Sequence, residues 1–223
     1  MQPGPQRPWA TVGTDLFSLS GHDCLVTVDY CSNYYEVDHR PNTLTETIVQ
    51  VLKKHFACHG IPDTVVSDNG PQFSSEIFRE FAQKWMFKHS RISPGNSKAN
   101  GAAEAAVKDA KKIMKRCRAE KSDPFLGLLN VRNTPSEGLS TSPVQRLFGR
   151  RTKTTTPTAD SLLQPRYDIH EDRVLKEERR HAASVHANKT RKDLAPLAPG
   201  DKVYMQPLGR SNEWQRGMHS YER

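Results

Sequence analysis

Three carboxylates sit in contexts that could do chemistry together. Asp15 lies in Gly13-Thr14-Asp15-Leu16-Phe17, Asp68 in Ser67-Asp68-Asn69-Gly70-Pro71-Gln72-Phe73, and Glu104 in Asn100-Gly101-Ala102-Ala103-Glu104. Thirty-five residues separate Asp68 from Glu104. Acidic groups forced together repel and take up protons unless a cation neutralises them. The trio therefore points to a divalent metal, and magnesium or manganese suits hard oxygen donors. Singly, each acid has a plainer reading. Asp15 could be an ordinary strand-edge aspartate, the structural role expected of Asp29. Asp68 could close an Asx turn before Asn69-Gly70. Glu104 could be a first-turn glutamate favoured by the helix dipole.

A basic run follows the third acid. Glu104, Lys108, Lys111 and Lys115 fall on one helical stripe, at i, i+4, i+7 and i+11. As a bare charge run these lysines would be a solvated face. Starting one turn after a metal ligand, Lys108 and Lys111 instead read as contacts to a phosphate held by the metal, while Lys112 and Arg118 read as solvated. The chain as a whole carries a net charge of +8 and a pI near 9.4, which favours an anionic partner.

The elements needed to present these groups are legible in the pattern. Thr11–Leu16, Cys24–Tyr30 and Tyr34–Val37 are short β-branched and aromatic runs divided by turn residues, a three-strand meander. A helix is predicted from Asn42 or Thr43 to about Cys58, with Thr43 and Glu46 as a capping box and Leu44, Ile48, Val51, Leu52 and Phe56 inward. Thr64–Ser67 is a brief apolar strand of the buried parallel kind, delivering Asp68 to its C-terminal end. A second helix runs from Ser74 or Ser75 to about Trp85, with Ile77, Phe78 and Phe81 inward, and Phe87–His89 is a last strand. Residues 93–98 have loop chemistry. A long helix from Asn100 to Glu120 follows, whose Ala103, Ala106, Val107, Ala110, Ile113, Met114 and Cys117 make one apolar stripe. Another is expected over Pro124–Asn133.

The 223 residues suffice for one ordinary domain and something smaller. The 35% apolar content reads as a normal core diluted by a polar tail. Arg150–Pro157 has linker composition, residues 170–192 suggest a charged helix, and Pro199–Met205 suggests a turn entering a strand. No run of ~20 apolar residues would span a bilayer, and no secretory signal is expected at the start. Cys24, Cys31, Cys58 and Cys117 read as reduced thiols of an intracellular protein. His55, Cys58 and His59 have zinc-like spacing without a completing Cys-x-x-Cys pair, so surface histidines on a helix are the expectation.

Together these segments resemble the integrase of gypsy-type long-terminal-repeat retrotransposons, relatives of retroviral integrases. The matching stretches are residues 8–17, 66–73 and 98–104, with Val131–Pro135, Leu147–Arg151 and Pro199–Val203 in the family's order. The resemblance implies an α/β, ribonuclease H-like fold: a five-stranded mixed sheet flanked by helices, with a partly ordered basic C-terminal extension. It divides the chain into a tail (1–7), a catalytic core (8–150), a linker and charged helix (151–195) and the start of a small-barrel module (196–223). It implies that Asp15, Asp68 and Glu104 hold two magnesium or manganese ions, with no organic cofactor.

Such ions, ~3.5–4 Å apart, activate the attacking oxygen and stabilise the leaving one in an in-line displacement. Water would first trim the element's DNA end; the new 3′-hydroxyl would then attack target DNA. The resemblance also assigns Lys108 and Lys111 to contact with the DNA end and puts Lys98 on a loop near the DNA; Lys115, Asn69 and Gln72 are further DNA-binding candidates from their positions, although turn roles suffice for Asn69 and Gln72. It implies a homo-oligomer that acts in the nucleus after passing through the cytoplasm, without a membrane partner. The family's zinc-binding module is not seen before residue 8, and Ala105-Ala106 replaces the basic or bulky residues common after the glutamate. Two other readings fit the same residues: an integrase remnant that binds nucleic acid or protein without catalysis, and a plain ribonuclease H-like nuclease, for which a fourth acid would be needed.

Overall fold

A computed structural model describes residues 5–19, 21–40, 42–92 and 101–165, helical positions 174, 177–179, 181, 182 and 185, and the backbone of strands at 202–205 and 215–218. Two compact units result, Met1–Glu177 and Glu178–Arg223.

The first unit is built on one sheet. Strands β1 (Thr11–Leu19), β2 (His22–Asp29) and β3 (Tyr35–Arg40) form an antiparallel meander. Helix α1 (Thr45–His59) crosses to β4 (Thr64–Ser67), which lies parallel to β1. Helix α2 (Glu76–Lys84) then crosses to β5 (Lys88–Arg91), parallel to β4. The sheet order is β3-β2-β1-β4-β5. Then come α3 (Gly101–Ala119), α4 (Pro124–Asn133), α5 (Pro143–Phe148) and α6 (Asp160–Leu163). This is the ribonuclease H-like arrangement expected from the sequence. In the second unit β6 (Lys202–Met205) and β7 (Gln215–Met218) pair antiparallel. Among the described residues no helix is long and apolar enough to cross a membrane.

Both sheet faces are covered, which explains why β2 is buried without interruption from Cys24 to Asp29. On one face Val12, Leu25 and Val65 pack with Ile48, Leu52 and Phe56 of α1 and with Phe78 and Phe81 of α2. On the other, Phe17, Val26 and Val28 pack with Ala103, Ala106, Val107 and Ala110 of α3. Alanines let α3 lie close to the sheet. Gly13 serves the same layer, since a Cβ there would stand 2.5 Å from the Tyr30 ring.

Several local expectations are corrected. Helix α1 starts at Thr45 with Leu44 at its N-cap and no side-chain cap. The Thr43–Glu46 capping box does not form, because Leu44 rather than Thr43 is the N-cap; Asn42 Oδ1 accepts from Leu44 N and from the Thr47 hydroxyl. Leu44 and Ile77, expected inward, are exposed: Leu44 is the N-cap that precedes α1, and in the first turn of α2 the buried position is taken by Phe78 beside Ile77. Ser75 does cap α2, accepting from Phe78 N. Residues 150–157, read as a linker, are tied down at one end. Thr152 N donates to Asn133 Oδ1, Asn133 Nδ2 donates to Thr152 Oγ1, and Arg151 N donates to Leu162 O.

The α1 histidines are not on the surface. His55 is buried between Thr27 Oγ1 at 3.1 Å and Asp38 Oδ2 at 2.7 Å, and His59 meets Glu36 Oε1 at 3.1 Å. Arg132 of α4 completes the second cluster, donating to Glu36 and to Tyr35 O. Burial alone would raise the Asp38 carboxyl, but the His55 hydrogen bond and charge, with Lys54, hold it at about 2. Glu36 is likewise held below its ordinary value: burial would raise it, and His59 and Arg132 outweigh that. A carboxylate depressed in the fold contributes stability that is present above its ordinary pKa and is lost as pH falls through the folded value. Acid titration of unfolding free energy should therefore show a loss between pH ~4 and ~2. Asp38→Asn should reduce that loss by ~1–2 kcal/mol after allowing for solvent screening. An unchanged slope would count against the assignment.

Candidate metal and nucleic-acid site

The parallel register brings two of the acids together. Strands β1 and β4 pair through Thr11–Thr64, Val12–Val65 and Gly13–Val66, and two residues further along each strand stand Asp15 and Asp68. Side chains alternate along β1, so Val12 and Leu16 join the α1–α2 face while Phe17 joins the α3 face. Asp15 shares the parity of Phe17 and therefore lies on the α3 side. Glu104 is exposed on the first turn of α3, between Ala103 and Ala106, which are buried on the sheet.

Electrostatics ties the three acids together. The Asp15 carboxyl is raised above its ordinary value, first by burial, against a hydrogen bond from Leu16 N at 2.8 Å, and further by the negative charges of Asp68 and Glu104. Lys111 opposes this, with its Nζ 5.4 Å above the Phe17 ring. A cation is what such a carboxylate lacks, and all-oxygen donors fit a hard divalent ion. Among the described residues no three acidic, His or Cys side chains are already drawn together as a metal site. Two details account for this. Asp68 Oδ1 is turned back to accept from Gly70 N at 3.0 Å, the Asx turn anticipated above, and Glu104 projects into solvent. The turn engages one Asp68 oxygen, and no hydrogen bond to the other is described.

A cavity of about 330 Å³ opens beside Asp15 and Asp68, lined also by Gln72, Thr43, Ser18 and Asp23. Gln72 is thus at the site, whereas Asn69 is exposed in the turn. Lys108 and Lys115 are exposed along α3, and Lys111 is half-buried. Lys98 lies outside the described residues. Sequence reasoning did not find Asp23, Ser18 and Thr43. The β1–β2 register sets Asp23 directly opposite Ser18, which donates to it at 2.7 Å, so only the hairpin pairing could have placed this acid near Asp15.

Comparison with known proteins bears on the fold that carries these residues. Residues 5–97 match the integrase core domain. An uncharacterized protein of Caenorhabditis elegans, K02A2.6, is 34% identical over 180 residues, covering 78% of this chain and 14% of that protein. The Gag-Pro-Pol polyprotein of sheep pulmonary adenomatosis virus is 27% identical over 142 residues, covering 59% of this chain and 8% of the polyprotein. The chain thus spans a small part of the length of these relatives. Among solved structures, the catalytic core domain of BIV integrase superposes with a TM-score of 0.55 at 16% identity, covering 62% of this chain and 93% of that one. The integrase core match spans Asp15 and Asp68 and stops short of Glu104.

Proposed function

We propose that this chain is an integrase-type polynucleotidyl transferase of the gypsy retrotransposon kind, which trims element DNA ends and joins them to target DNA. One observation carries the reading. Asp15 on β1 and Asp68 at the end of β4 line one cavity, and the charges of Asp68 and of Glu104 at the start of α3 both act on Asp15, within a fold shared with an integrase core. Asp15, Asp68 and Glu104 would hold two magnesium or manganese ions, which supply activation of the attacking oxygen and stabilisation of the leaving one.

The chain's own groups do the rest. Asp15 is fixed by its strand and by Leu16 N, so it is the rigid member, while Asp68 and Glu104 adjust. Lys111 rests on Phe17 and faces the acids, placed to take a backbone phosphate next to the scissile one. Lys108 and Lys115 extend that track along α3, and Gln72 offers an amide to the terminal nucleotide. Asn69 and Lys98 would complete the DNA contacts. The basic balance of the chain suits such a partner, and we place its action in the nucleus, as a homo-oligomer.

The test is direct. The purified chain, given manganese, a matching terminal-repeat end and plasmid target, should yield joined products. Well-folded protein that binds DNA and forms none would replace this reading with that of a non-catalytic DNA-binding relative.

A further inference from the structure

The last residue of β4 is linked to the neighbouring strand by a chain of polar groups that the metal site does not itself require. Ser67 is fully buried, and its Oγ lies 2.9 Å from Asp68 O and 2.9 Å from His89 Nε2 on β5. A carbonyl only accepts, so the single Ser67 hydroxyl proton is committed to Asp68 O. His89 Nε2 must then carry its own proton and donate it to Ser67 Oγ. That fixes the neutral ring as the Nε2–H tautomer.

The ring is held in place: its centroid lies 4.6 Å from that of the fully buried Phe78. Burial, with the nearby Arg91, pushes the imidazolium down to about 4, so the ring is neutral at working pH. A strand-end serine bonding its following carbonyl is ordinary by itself. Here a second strand supplies the donor that orients the hydroxyl, and the carbonyl belongs to a proposed metal ligand.

We propose that His89 is a positioning residue: through Ser67 it locks the Asp68 peptide, the fixed base from which the carboxylate turns toward Asp15. This rests on the proposed metal site. The hydrogen-bond partners behind metal ligands typically change metal affinity 10–100-fold when removed.

Two variants on β5 and one on β4 test this, read by Mn2+ titration of the protein, by strand-transfer kinetics, and by the 15N signals of the histidine rings. His89→Phe keeps the ring contact with Phe78 and loses the donor; His89→Gln restores an N–H. Ser67→Ala removes the intermediate hydroxyl and leaves the ring. The wild-type spectrum should show His89 neutral and protonated on Nε2. H89F and S67A should each weaken Mn2+ binding ~10-fold and lower kcat, with KM for DNA within about twofold of wild type. H89Q should recover most of both losses.

An Nδ1–H tautomer, H89F and S67A indistinguishable from wild type in Mn2+ affinity, or H89Q as impaired as H89F would each overturn the inference. Wild-type protein that binds no Mn2+ would overturn the reading of the site and this inference with it, so the two failures are distinguishable.

Discussion

Glu104→Gln is expected to lower strand transfer ~10³-fold while leaving the fold and DNA binding intact. The side chain is exposed on the first turn of α3 and makes no described hydrogen bond, so an isosteric amide changes no packing. What it removes is one of the negative charges whose repulsion acts on Asp15. A bound divalent ion contributes several kcal/mol of charge stabilisation in the transition state, and each ~1.4 kcal/mol is tenfold in rate. Losing an ionised ligand should forfeit ~4 kcal/mol of that. The check is a strand-transfer time course beside a melting curve, with Tm unchanged within ~2 °C. Retention of more than a tenth of the wild-type rate would remove Glu104 from the site.

The largest effect on stability is expected at a different aspartate. Asp29 is fully buried at the end of β2, where its carboxylate accepts from Trp9 N, Cys31 N, Ser32 N and Ser32 Oγ. These donors come from the segment before β1 and from the β2–β3 turn, so one side chain closes the edge of the meander. Asp29→Ala leaves two buried backbone N–H groups, of Trp9 and Ser32, and the half-buried Cys31 N–H without their acceptor. Each such loss costs ~1–3 kcal/mol, and allowing for partial rescue by water the sum should be ~4 kcal/mol. In a chain of this size that is a fall in Tm of ~8–16 °C. A fall below ~3 °C would show that the turn is held by other means. The same variant should bind Mn2+ normally wherever it is folded.

Asp15 and Asp29 show how far the sequence could be read. Both sit in strands, and no local pattern separates them; Asp15 was singled out by its company with Asp68 and Glu104, and the fold supplies that company through the β1–β4 register. The strands and the long helix were legible because apolar alternation and the alanine stripe are local signals. Helix starts were not. At α1 the helix starts at Thr45, past the expected capping box, and Asn42 bonds Leu44 N and the Thr47 hydroxyl, a local choice that spacing does not resolve. The burial of His55 and His59 was illegible because their partners, Asp38 and Glu36, are on β3. Helix α5 escaped notice for its six residues, although Ser142 and Gln145 form a true capping box ahead of it. Asp23 near the acids, and His89 behind Asp68, depend on strand pairing and could be found only in three dimensions.

Everything functional rests on Asp15, Asp68 and Glu104 closing around shared cations. A crystal of the chain soaked in manganese and recorded at the manganese absorption edge addresses that directly. Two anomalous peaks ringed by oxygens of all three acids are the predicted result, with Asp68 rotated off Gly70 N. Manganese absent from this cavity at saturating concentration, or bound with Glu104 still in solvent, would contradict it.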